Sequence, residues 1–152
     1  MNQSYRARND AARTDLASLL KQLRPDDLER PLGNGWTVKA ALAHLAFWDR
    51  YTAVLVEEWQ QAGFARSGEA EQGEHINSVA AGDWLSVSAE YVMGEVLRAA
   101  EVADGSANNI DDTLRAAIVE GGEGWVCDRN VHRAEHVGQI RRVLQLLPLE
   151  PL

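Results

Sequence analysis

Positive charge is in short supply in this chain. Fifteen Lys and Arg stand against 23 Asp and Glu, giving a formal net charge of −8 and a pI of about 4.9. A non-specific grip on nucleic acid needs a basic patch that displaces counterions, so that class is excluded. The same deficit argues against anionic membrane surfaces. Cysteine is nearly absent too: Cys127 stands alone, so an internal disulfide is excluded. No apolar run approaches the ~20 residues of a membrane span, and the N-terminus lacks the apolar stretch of a signal peptide. A cytoplasmic protein is the expectation.

The chain does have enough apolar residues to bury a core. Hydrophobic residues make up 45% and charged residues 25% of 152 positions, ordinary values for one globular domain spanning 1–152. Tryptophan is plentiful, and Trp36, Trp48, Trp59, Trp84 and Trp125 are mostly core candidates.

Four long helical patterns emerge, and no convincing alternation of period two. The first runs from about Ser4 to Leu23, with Tyr5, Ala12, Leu16, Leu19, Leu20 and Leu23 at helical spacing and Pro25 beyond its end. The second runs from about Thr37, a plausible N-cap after Gly33-Asn34-Gly35, to Gln61, with Gly63 just past it. Residues 66–73 read as a polar loop. The third pattern starts at Ser78 or Asp83 and reaches Ala103, with Trp84, Val87, Tyr91 and Val96 inward and Asp104-Gly105 as the stop. A short helix over Asp111 to Val119 and a flexible break at Gly121, Gly122 and Gly124 follow. The last pattern starts near Asp128, a candidate N-cap, and ends before Pro148. The expected fold is all-α, a four-helix bundle with a short extra helix between the third and fourth.

The histidines stand out against this pattern. The chain has four, and His132 and His136 lie four apart, one turn apart on one helical face. At 100° per residue, Ile140, Val143, Leu144 and Leu147 define an apolar arc that takes in both. His44 shares a row with Trp48, Tyr51 and Leu55, while Lys39, Arg50, Glu57 and Gln61 fall on the opposite side. A single inward His is usually a satisfied core residue. Three inward imidazoles without partners would leave several nitrogens unsatisfied, each costing ~1–3 kcal/mol, and a metal would satisfy three at once. Spacing alone leaves both readings open.

Two blocks carry a family resemblance. One is Gly35-Trp36-Thr37-Val38-Lys39, then Leu42-Ala43-His44-Leu45 and Trp48-Asp49-Arg50-Tyr51; the other is His132-Arg133-Ala134-Glu135-His136-Val137-Gly138-Gln139-Ile140. Together they make the chain resemble the DinB-like family, the DinB/YfiT-like metalloenzymes. The resemblance implies a four-helix bundle of up-down-down-up type and homodimers. It implies a divalent metal (Zn, Ni or another first-row ion) on His44, His132 and His136. Some members of that family are transferases or isomerases using low-molecular-weight thiols such as bacillithiol, mycothiol or glutathione.

Three neutral imidazoles leave an ion's charge undiminished and positions open for water or a substrate thiol, whose proton it would weaken. Imidazole ligation does not choose among zinc, nickel, copper and iron. Trp48 and Tyr51 could line the pocket, although core packing is the ordinary role for Trp48. Glu135 suits a supporting or surface role, Cys127 a small apolar one, and His75 an exposed one. The spacing also fits the H-x-x-E-H peptidase pattern, but the only acid among the sixteen residues after His136 is Glu150, beyond Pro148. Hydrolysis of a small substrate is the lesser alternative, and a non-catalytic metal or ligand-binding module the main one. A closing fourth ligand would favour a structural metal. The expected partner is a small-molecule substrate, with neither nucleic acid nor membrane.

Overall fold

The computed structural model describes residues 2–146. Six α-helices account for most of them: α1 (Asn2–Gln22), α2 (Val38–Ala62), α3 (Gly73–Ser86), α4 (Ala89–Asn108), α5 (Asp112–Glu120) and α6 (Asn130–Leu144). Short 3-10 turns cover Pro25–Glu29, Glu69–Gln72 and Gly124–Val126. The fold is all-α and bundle-like. α2 packs most extensively on α4, α1 on α6 and α4, and α2 also touches α6 and α3. Among the described residues no helix is long and apolar enough to cross a membrane.

α2 starts and stops as its sequence predicts. The Thr37 side chain accepts from the Ala40 amide at 3.1 Å. Gly63 ends the helix at φ +78°, donating its amide to the Trp59 carbonyl. Nearly the whole N-terminal half of α2 is buried, Lys39 included. Its spacing places Lys39 on the outer face, but the residue is only 9% exposed and its ammonium reaches Glu29 at 2.6 Å.

The third predicted helix is two helices. The chain is extended at Val87 and Ser88, and the Ser88 hydroxyl caps α4 by accepting from the Tyr91 amide. Tyr91, expected inward, is half exposed; Val92 takes the buried position beside Trp84 and Val96. Asp104-Gly105 does not stop α4, which continues to Asn108. Asp104 is drawn inward by arginines, and the end of α4 is held by tertiary donors: the Tyr5 hydroxyl to the Ala107 carbonyl and Arg6 to the Asn108 carbonyl. Part of the predicted loop at 66–73 is the 3-10 turn Glu69–Gln72.

The short helix α5 is N-capped by Asp111, which accepts from the Leu114 amide. The glycine segment behind it is a defined turn, closed by the Glu123 amide on the Ile118 carbonyl. Asp128 does not cap α6. Its carboxylate takes the side chains of Arg8 and Asn130, and the helix begins two residues later. Gln145, at φ +56°, ends α6. The predicted arc residue Leu147, and Pro148 and Glu150, lie outside the described residues.

Trp48, Trp59 and Trp84 are buried, while Trp36 and Trp125 are half-buried. One apolar cluster joins α1, α2, α4 and α6 through Leu16, Leu45, Val96 and Ile140. A second joins Tyr5, Val56, Trp59, Ile118 and Cys127.

Candidate metal centre

His44 sits in the second turn of α2, and His132 and His136 in the first two turns of α6. The packing of α2 against α6 brings all three together. Each offers one ring nitrogen, and these atoms lie within 4.8 Å of one another. Ring centroids stand 4.8 Å apart for His44 and His132, 4.7 Å for His44 and His136, and 4.9 Å for His132 and His136. Trp36 and Trp84 flank His44, with centroids at 4.8 and 4.7 Å.

The hydrogen bonds assign the protons. Arg129 Nη2 lies 2.7 Å from His132 Nδ1. A guanidinium can only donate, so Nδ1 accepts. Neutral His132 therefore carries its proton on Nε2, which donates to His44 Nε2 at 2.8 Å. His44 keeps its own proton on Nδ1, which is buried without a partner. His136 donates from Nδ1 to Gln139 Oε1 at 3.3 Å, leaving its Nε2 lone pair free.

All three imidazoles are held neutral. Burial, with His136 and Arg129 nearby, pushes the His44 pKa down to about 3. Burial and then Arg129 push His132 down further, and burial lowers His136. Neutral imidazole is the ligating form, so a cation would not have to displace a proton from an imidazolium here.

The three histidines lie in the wall of a cavity of about 870 Å³. Trp36, Trp48 and Trp125 supply its aromatic surface, and Asn77, Gln139 and Arg142 part of its polar surface. Trp48 combines both roles weighed for it: 6% exposed, it donates Nε1 to Asn77 Oδ1 at 2.9 Å and also faces the cavity. Tyr51 is not in this wall; its hydroxyl donates to Glu69 at 3.0 Å. Glu135 is exposed at the cavity's edge. Cys127 is buried in the second apolar cluster, its thiol pushed up to about 11 by desolvation, and His75 is exposed on α3. Neither belongs to the histidine group.

A buried ion network behind the histidines was not anticipated. Asp49, 0% exposed, accepts Arg129 Nε at 2.9 Å on one oxygen and Arg133 Nε at 3.1 Å on the other. Arg133 also donates to Asp104 at 3.0 Å and to the Ala100 carbonyl at 3.2 Å, and Arg13 pairs with Asp104. The network fixes Arg129 and so the ring of His132. A signal for it exists in the sequence. Asp49 interrupts the buried row Leu45, Thr52 and Val56, and Arg133 interrupts the row of Val137 and Ile140. Charges in apolar rows require buried partners.

An ion at the three nitrogens would keep its full charge and have open coordination positions facing the cavity. No family model, no curated protein and no solved structure matches the chain.

Proposed function

We propose that this protein is a divalent-metal-dependent enzyme acting on a small molecule, with His44, His132 and His136 as the ligands. The observation that carries this reading is the convergence of three neutral imidazoles from two helices, without a fourth His, Cys or carboxylate in the group among the described residues. A structural ion is normally closed by four protein ligands, and three leave room for a reactant. Within this reading the DinB-like resemblance supplies the finer expectations: a bundle of up-down-down-up order, a homodimer, and a transferase or isomerase using a low-molecular-weight thiol.

An ion held here would make a bound thiol or water a better nucleophile at neutral pH. The chain's own residues do the rest. The aromatic walls of Trp36, Trp48 and Trp125 exclude water from one side of a ligand. Gln139 fixes the tautomer of His136. Asn77, whose Oδ1 is held by Trp48, offers its amide hydrogens for orientation.

The test is elemental analysis of protein purified without a polyhistidine tag, after incubation with zinc or nickel. About one ion per chain is expected in the parent and none in His44→Ala or His132→Ala. A parent chain that holds no divalent ion would sink the proposal. With the ion bound, a glutathione-conjugation assay against 1-chloro-2,4-dinitrobenzene and an ester-hydrolysis assay separate transferase from hydrolase. Silence in both would favour a binding module.

A further inference from the structure

Arg129 is a neighbour of an unusual kind for a metal-ligand histidine. The outer nitrogen of such a ring normally donates to a carboxylate or carbonyl. His136 follows that rule through Gln139. His132 does the opposite: its Nδ1 receives a hydrogen bond from Arg129 Nη2 at 2.7 Å.

That bond is compatible with only one arrangement of the ring. The Nε2 atoms of His44 and His132 face each other at 2.8 Å, so Nε2 is the nitrogen turned toward the site. A neutral His132 that gives its Nε2 lone pair to a cation carries its hydrogen on Nδ1. Arg129 and Nδ1 are then two donors facing each other, and Nη2 loses its acceptor.

Arg129 cannot simply turn away. Its Nε is bound to Asp49 at 2.9 Å, its Nη1 reaches the Trp125 carbonyl at 3.4 Å, and its guanidinium lies 5.8 Å from the centre of the Trp125 ring. The side chain is 3% exposed, yet it lines the cavity. A buried charged donor without an acceptor is costly, and a ligand oxyanion in the cavity is the group placed to satisfy it.

Charge balance points the same way. Asp49 and Asp104 already offset Arg129 and Arg133, so the two positive charges of a divalent ion on three neutral histidines remain uncompensated. The acids on the cavity wall, Glu74 and Glu135, are exposed at its edge.

Building on the metal-site reading above, we propose that cation binding frees Arg129 Nη2 to hold a carboxylate of the ligand beside the ion, so that the site selects small carboxylic acids. Trp48 and Trp125, with ring centroids 6.1 Å apart in the same wall, receive the apolar part of such an acid. Arg129 is thus a ligand-binding residue whose availability is set by the state of His132.

The test compares benzoate with imidazole, a neutral metal ligand, as probes of the zinc-loaded protein by calorimetry. Zinc affinity of Arg129→Lys is measured first, so that both probes are compared on fully zinc-loaded parent and variant. Benzoate affinity should fall about tenfold or more, the worth of a charge-assisted hydrogen bond, while imidazole affinity holds. An unchanged benzoate affinity, or an equal fall for both probes, overturns the proposal. Should the variant fail to fold, side-chain NMR of the parent labelled with ¹⁵N-arginine gives the answer. The Arg129 guanidinium resonance should shift on adding zinc and again with benzoate, but not with benzamide. Absence of the second shift overturns the proposal as well. A parent that binds no zinc defeats the metal reading itself; zinc binding with a benzoate affinity independent of Arg129 defeats only the carboxylate site.

Discussion

His44, buried, and His132 and His136, half-buried, are bases kept neutral, and that sets how the fold responds to acid. Each has a folded pKa below the unfolded value of about 6.5. Below that value the unfolded chain binds protons that the folded chain refuses. Stability is therefore unaffected by these groups above pH ~6.5 and falls as the pH drops from there toward 3. The slope approaches about 1.4 kcal/mol per pH unit for each histidine that stays neutral. Urea midpoints of chelator-stripped protein between pH 7.5 and 4.5 should fall with pH, and His132→Gln should flatten the curve. A curve equally steep in that variant would contradict this assignment. At this scale the sequence was readable where pattern and chemistry coincide. The inward rows of His44 and of His132 with His136 follow from helical spacing alone. The partners of those rings did not follow, because Arg129 and Gln139 are ordinary polar residues until the ring they meet is known.

α2 shows most directly how an element positions chemistry. His44 is one of a run of buried residues that begins at the Thr37 cap, so the cap fixes where the helix starts and in what phase His44 enters the core. Thr37→Ala should cost about 1 kcal/mol and lower Tm by roughly 2–4 °C in a chain of this size, while Thr37→Ser should be near neutral. Calorimetric melting checks both; an Ala variant that melts like the parent would show that packing alone fixes the start of the helix. The boundaries that sequence reasoning missed have a common cause. Asp104-Gly105 has the composition of a stop, yet α4 runs on because Arg133 and Arg13 take up the Asp104 charge. Tyr91 has the spacing of a core residue, but the break at Val87 and Ser88 resets the phase of α4 and puts Val92 inside. Asp128 is a good cap by type, but Arg8 of α1 occupies its carboxylate.

For the molecule as a whole, the paired carboxylates and guanidiniums at its centre matter most. Asp49, Asp104, Arg129 and Arg133 tie α2 and α4 to α6 and its N-terminal approach, with Arg13 of α1 closing the outer side. Removing one partner leaves the others buried and uncompensated. Arg133→Ala should therefore destabilise by about 3–5 kcal/mol, a large part of the stability of a small domain. Asp104→Asn, which keeps hydrogen-bonding capacity and leaves Asp49 intact, should cost less. Urea unfolding at pH 7 ranks the two, and a reversed order would place the weight of the network on Asp104. By itself the sequence determined the all-α class, the ends of α2, the apolar faces and the inward direction of three histidines. These depend on periodicity, capping and composition, which are local properties of the chain. The tertiary structure decided that the three rings meet, that Asp49 and Arg133 neutralise each other in the core, and that Arg129 stands against His132. The first two join residues more than 80 positions apart, and Arg129, only three residues before His132, is held in place by its bond to Asp49, 80 positions away. Their register is set by how α2 and α6 pack, and no local pattern encodes it.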